Sequence, residues 1–159
     1  MAMMYPRDDA QSEFDYPEDR LYRITNILDA DKIKEPNNRD LNNDPVRFVI
    51  KNGFTTGTTI GRLNGYESFT RHYAIGTFDS IEAAVYPYDT NSTAFSRGGD
   101  SGAVIVGADQ DFVALLTGGS GPSESPDVTY ATPFSWLWRN VVKPNYPGAV
   151  LFFEPIPNH

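Results

Sequence analysis

Cysteine is absent from this 159-residue chain, so it can form no disulfide and offers no thiolate to a metal. Only two histidines occur, His72 and His159, which disfavours a zinc site. No cofactor or metal is expected. Positive charge is scarce: 13 Lys and Arg stand against 21 Asp and Glu, a net charge of −8. A polyanion would be repelled overall, which argues against nucleic acid as a partner. An anionic membrane surface is disfavoured on the same ground. No apolar run is long enough to span a bilayer. Residues 1–9 contain no apolar h-region, so no signal peptide is visible and the chain reads as soluble.

Glycine and proline, at 13 and 12 residues, are frequent enough to punctuate many short strands and argue against long helices. Residues 1–45 form an acidic N-terminal arm or linker, with a carboxylate-rich run at Asp8, Asp9, Glu13, Asp15, Glu18 and Asp19. Such runs usually solvate rather than bind. A short helix or turn is expected near Leu21–Leu28, followed by an extended linker. From Val46 onward, strand-like segments recur at 46–50, 58–63, 66–73, 80–86, 103–106, 112–117 and 128–132. Asn64-Gly65 suits a two-residue type I′ hairpin between the second and third of these. Thr132 and Pro133 provide an N-cap and first position for a helix whose apolar stripe is Phe134, Leu137, Trp138, Val141 and Val142, ended by Lys143-Pro144. The fold is therefore expected to be all-β: a six-stranded antiparallel barrel over 46–159 with an N-terminal extended arm and one C-terminal helix.

Chemistry concentrates at Gly98-Gly99-Asp100-Ser101-Gly102, followed by apolar Ala103-Val104-Ile105. A serine attacks an acyl carbon only if a sharp turn presents its hydroxyl and nearby N–H groups face the developing oxyanion. Glycines on both sides permit that backbone, and an adjacent aspartate can hold the loop through a buried ion pair. Three further pieces surround it: Gly53-Phe54-Thr55-Thr56-Gly57-Thr58-Thr59-Ile60-Gly61 upstream, then Thr117-Gly118-Gly119-Ser120-Gly121 and Thr129-Tyr130-Ala131-Thr132-Pro133 downstream. Each piece alone is an ordinary turn signal.

Taken in this order, the four pieces resemble the second barrel of trypsin- and chymotrypsin-like serine peptidases, over roughly Val46 to Val142. They are most similar to the bacterial chymotrypsin-like branch and to hypothetical fungal proteins of that superfamily. The resemblance implies an endopeptidase-like hydrolase acting on a peptide or protein substrate. It implies Ser101 as nucleophile, the N–H groups of Gly99 and Ser101 as oxyanion hole, and Asp100 as the aspartate that holds the loop against a cation, with Arg97 and Lys51 as candidates. It further implies Thr117, Gly118 and Gly119 as the strand that pairs with substrate, and Phe95, Ser96, Tyr130 and Ala131 as pocket walls. No acidic residue stands at a pocket base, so an apolar or small P1 group is expected.

The family's catalytic histidine and aspartate precede the serine in a first barrel. Here only His72 precedes Ser101, within the same strand set, and it reads as a structural or surface residue. Without a base, a serine hydroxyl keeps its ordinary high proton affinity. Three readings follow: a piece of a longer protease-like protein, which the extended character of 20–45 favours; a non-catalytic homologue that binds peptides; or a chain completed by a first-barrel partner or as a homodimer. Other signals fail. Asp40–Pro45 begins like a calcium loop, but proline replaces the turn glycine. Asn91-Ser92-Thr93 is a glycosylation sequon. Ser101 precedes a strand-like run rather than a helix, which excludes an α/β-hydrolase elbow.

Overall fold

A computed structural model describes residues 22–40, 42–72, 78–121 and 128–152. The acidic run at 8–19, Leu21, Tyr73 and His159 lie outside the described residues. Among the described residues, nine strands form one mixed sheet: β1 (Asn26–Ile27), β2 (Asn38–Arg39), β3 (Pro45–Gly53), β4 (Gly57–Leu63), β5 (Glu67–His72), β6 (Phe78–Pro87), β7 (Val104–Gly107), β8 (Asp111–Ser120) and β9 (Val128–Pro133). Six of them close a ring of antiparallel pairs in the order β3-β4-β6-β9-β8-β7 and back to β3. Within it, β7 returns to lie beside β3 after β4 and β6 have paired in succession, which is a Greek-key arrangement. Register shifts at Ile105/Val106 and Leu116/Gly118 bend β7 and β8, as bulges do where a sheet must curve.

Alternation along the strands sorts side chains to the two faces of the ring. Val49, Leu63, Ala83, Val85, Ile105, Val113, Leu116 and Ala131 face inward and make the main core. A smaller apolar cluster lies on the outer face of β3, β7 and β8, where Tyr22, Ile24, Ile60, Val104 and Phe112 gather around Ile50 and Val106.

The arm departs from the expected linker. No helix covers the described part of 21–28; residues 26–27 instead add a parallel strand to β8, in register with Asp111 and Phe112. The helical turn comes later, as α1 (Ala30–Ile33). Leu28 and Ile33 enter the main core at 7% and 4% exposure, so this segment packs as part of the fold. The apolar residues Leu21, Ile24, Ile27 and Leu28 were too few to show a firm period, and tertiary burial set the local structure instead.

Asn64-Gly65 also departs from expectation. Strands β4 and β5 do not pair with each other; both pair with β6, β4 at Tyr86–Pro87 and β5 at 78–83. Since Ala83 pairs with Glu67 on one side and Ala131 on the other, β4 and β5 share one edge of β6 as an interrupted strand. Gly65 has φ 86 but Asn64 is not in the left-handed region, which a type I′ turn needs at both positions.

The C-terminal helix begins one residue later and ends later than expected. Thr132 is held in β9 opposite Leu115, so Pro133 takes the N-cap position without a side-chain cap. The helical run passes through α2 (Phe134–Leu137), a wide π turn at Trp138–Val142 and α3 (Lys143–Asn145). The Lys143 N–H reaches back five residues to the Trp138 carbonyl. This wider turn accommodates the Pro144 ring, which would otherwise meet the carbonyl four residues before it. The expected stripe does pack inward: Phe134 stacks on Phe112 at 4.5 Å, while Val141 stays exposed. An Arg139–Asp29 ion pair ties the helix to the arm.

Removing the Ile33 side chain past its β-carbon empties a site sealed by the arm. Ile33→Ala is expected to destabilise the fold by about 2–4 kcal/mol, and exposed Val141→Ala by less than about 0.5 kcal/mol. Urea unfolding of both variants, followed by tryptophan fluorescence, checks this; equal midpoints would show that the arm contributes nothing to the core.

Candidate functional site

The β3–β4 hairpin and the loop between β6 and β7 meet at one carboxylate. Asp100 is 1% exposed. Its Oδ1 accepts the N–H groups of Thr55 at 2.8 Å and Thr56 at 3.2 Å. Its Oδ2 accepts the Thr56 hydroxyl at 2.7 Å and the Arg97 N–H at 3.0 Å. The cation is Lys51, wholly buried on the inward face of β3, with Nζ 3.4 Å from Oδ2. That ammonium also donates to Thr56 Oγ1 at 2.5 Å and the Gly57 carbonyl at 3.2 Å, and lies 5.6 Å from the centre of the Phe95 ring. Between the two candidate cations, Lys51 supplies the charge. Arg97 supplies only a backbone donor; its side chain is exposed.

Burial alone would push the Asp100 carboxyl upward. The Thr56 hydroxyl and the N–H groups of Arg97, Thr55 and Thr56 outweigh it and bring the pKa down from 3.8 to about 2. The hairpin sits so close that a Cβ at Gly53 would collide with the carboxylate, which leaves glycine as the residue that fits.

This clamp fixes the backbone on either side of Ser101. The Asp100 N–H bonds the Arg97 carbonyl at 3.0 Å, and the Ala103 N–H bonds the Asp100 carbonyl at 3.0 Å. Gly99 takes φ 99 beneath Thr55, whose hydroxyl donates to the Gly98 carbonyl at 2.8 Å. A side chain at Gly99 would meet both a disfavoured backbone region and that hydroxyl. Ser101 stands exposed at the tip. Among the described residues, neither its N–H nor that of Gly99 has an acceptor, and its hydroxyl has no partner. The expected nucleophile and both expected oxyanion donors are thus accessible on one constrained turn.

The turn is stitched to β8 by Gly102 N–H to the Leu116 carbonyl at 2.8 Å and Leu116 N–H to the Ala103 carbonyl at 3.0 Å. Thr117, the extra residue of the β8 bulge, follows at once and donates its hydroxyl to the Tyr130 carbonyl at 3.2 Å. Beyond it, Gly118, Gly119 and Ser120 pair with β9 on one side and have no strand on the other among the described residues. A free strand edge therefore starts beside Ser101.

The remaining expected pocket residues sit below the surface. Phe95 and Ala131 belong to the main core at 1% and 0% exposure. Ser96 is buried with its hydroxyl 2.7 Å from that of Thr129, and the Phe95 carbonyl accepts the Thr59 hydroxyl at 2.7 Å. Tyr130 is half-buried. Against this, a cavity of about 610 Å³ opens on the other side of the turn, lined by Gly102, Ala103, Val104, Val106, Phe112 and the arm residues Tyr22 and Ile24 among others. Nothing in the sequence marked it, because its walls come from segments 80 residues apart. The same holds for Thr55 and Thr56 as clamp donors: the paired threonines between two glycines were their one visible sign.

His72 belongs to β5 and is paired with Phe78, on a strand that no element holding Ser101 touches by pairing. Among the described residues, no group of three or more His, Asp and Glu side chains is placed to hold a metal, and no helix is long and apolar enough to cross a membrane. No protein-family model and no curated protein matches this chain.

The depressed Asp100 pKa ties stability to pH with a definite sign. A carboxyl at about 2 when folded and 3.8 when free stabilises the fold fully above the higher value, by about 2 kcal/mol. That contribution is lost as pH falls through about 4 towards 2. Asp100→Asn should be less stable at pH 7 and should lose this part of the pH slope. Urea unfolding from pH 7 to pH 2 measures it; identical slopes in both proteins would refute the clamp.

Proposed function

We propose that this chain carries the nucleophile turn of a chymotrypsin-like serine hydrolase that cleaves an extended peptide. The observation that supports it best is the Asp100 clamp: a buried ion pair and four hydrogen bonds hold a loop whose outward products are one exposed serine and two free N–H groups. An ordinary surface turn has no need of so costly a foundation. The turn lies between the third and fourth ring strands in chain order, β6 and β7, which is where the family resemblance of the sequence expects it.

In this reading the peptide lies along the open edge at 118–120, where main-chain pairing fixes it. Its scissile carbonyl reaches Ser101, and the Gly99 and Ser101 N–H groups receive the oxyanion as Oγ bonds to carbon. The serine proton passes to a base that lies outside the described residues or on another chain. It then passes to the leaving amine as the C–N bond breaks, and water later hydrolyses the acyl-serine. Phe95 and Ser96 are both buried, and in this reading the P1 side chain is apolar or small.

The open edge also favours a second reading, a peptide-binding module with no chemistry at Ser101, since strand pairing alone gives affinity. Labelling by a fluorophosphonate probe, read by intact mass, separates the two. The hydrolase reading expects modification of Ser101 that is accelerated by added imidazole, absent in Ser101→Ala, and reduced at least about tenfold in Asp100→Asn. Equal labelling of the native chain and Ser101→Ala, with and without imidazole, would leave the binding reading.

A further inference from the structure

Strand β5 lies at an end of the sheet with few of the features that protect an edge, and its two charged residues, Glu67 and Arg71, are of opposite sign. Its one strand partner among the described residues is β6, with six residue pairs in unbroken register from Glu67–Ala83 to His72–Phe78. It carries no proline, no lysine and no bulge, the usual devices that keep an edge from pairing with another chain. Apolar surface gathers here as well. Of nine large apolar side chains that stand exposed among the described residues, four (Tyr66, Phe69, Phe78 and Ile81) lie on or beside this strand pair. Phe69 and Ile81 are directly opposite each other and 68% and 60% exposed.

The charges on this edge complement their own reversal. Glu67, Phe69 and Arg71 alternate onto one face, with the aromatic ring at the centre and opposite charges two residues to either side. When two copies of this strand run antiparallel about Phe69, each Glu67 stands opposite an Arg71, at both ends, and Phe69 stands opposite Phe69. A shift by one residue either way puts Glu67 opposite Thr70 or His72 and removes both ion pairs. The two charged groups reach the surface. Arg71 is half-exposed while paired with Asp79 at 2.7 Å, and Glu67 is 38% exposed while paired with Lys34 at 3.1 Å. Each can take an additional opposite charge and extend its pair into a network.

We propose that two copies of this chain associate edge to edge through β5, antiparallel about Phe69, and join their sheets across a two-fold axis. Such an interface is isologous: the same patch meets itself, and closure at two copies follows from the symmetry. The exposed Phe69–Ile81 pair then meets its counterpart across the axis, and main-chain bonds satisfy the open edge of β5. The site around Ser101 takes no part, since none of β3, β7, β8 or the nucleophile turn pairs with β5.

Charge reversal tests both the register and the identity of the partner. The full chain is expected to sediment as a dimer at about 100 μM. Glu67→Arg places arginine opposite arginine at both ends, and Arg71→Glu places glutamate opposite glutamate. Each variant is expected to weaken the dimer at least about tenfold. Mixing the two variants restores both opposite-charge pairs, so native mass spectrometry should show a mixed dimer at the expense of both pure ones. Circular dichroism of each variant serves as the control for folding. A native chain that stays monomeric at this concentration would overturn the proposal. So would folded single variants that dimerise as well as the native chain, or that fail to form the mixed dimer.

Discussion

Taking Lys51 and Asp100 out of water costs several kilocalories per mole for each ion, and their attraction at 3.4 Å repays this only if the remaining protons and lone pairs are also satisfied. Here the repayment comes from the β3–β4 hairpin. Thr56 Oγ1 accepts from the ammonium and donates to the carboxylate, so one hydroxyl serves both ions. The Thr55 and Thr56 N–H groups and the Gly57 carbonyl complete the set. None of these groups is free to move without uncovering a buried charge. The position of the loop at 97–102 therefore follows from the position of the hairpin, and the hairpin from the pairing of β3 with β4.

The same dependence explains why the turn is rigid on one side and open on the other. Inward, Asp100 is anchored to Lys51, which lies beside Phe95, whose own backbone is held by Thr59. Along the chain, Gly102 and Ala103 are sewn to Leu116. Outward, Ser101 bears no such bond among the described residues. On the proposed hydrolase reading, a fixed base and an exposed tip are what a preorganised nucleophile needs, because the cost of ordering has been met before substrate arrives. The arm contributes at a distance: by burying Leu28 and Ile33 and pairing with β8, it stabilises the strand to which the turn is stitched.

Much of this was legible before the structure. The segments expected at 46–50, 58–63, 66–73, 80–86, 103–106, 112–117 and 128–132, read from apolar alternation bounded by glycine, proline and asparagine, each overlap a strand, most of them shorter than the strand found. The order in which they close follows from nothing local. Asn64-Gly65 shows the limit well. Its composition fits a tight hairpin, but β6 offers one long edge that accommodates both flanking strands, and pairing with it displaced the local preference. The turn around Ser101 was readable because glycine and aspartate are needed there for backbone reasons. The burial of Phe95 and Ala131 was not, because Phe95 lies in an irregular loop and both enter a core that only the closed ring reveals. Lys51 could be narrowed to one of two cations; its choice over Arg97 rests on its inward phase, shared with Val49 in β3.

Asp100 adjoins Ser101 in sequence, yet the geometry rules it out as the base. Its Oδ1 accepts two N–H groups of the hairpin, and its Oδ2 accepts the Thr56 hydroxyl and the Arg97 N–H and faces Lys51, so both oxygens are already engaged. Its pKa near 2 lies far below the range in which a carboxylate draws a proton from a hydroxyl at neutral pH. The stronger the clamp, the weaker Asp100 is as a proton acceptor, since the same bonds that hold the loop stabilise the anion. On the proposed hydrolase reading, positioning and proton transfer are therefore divided between different residues. The clamp serves the first, and the second falls to a group other than Asp100.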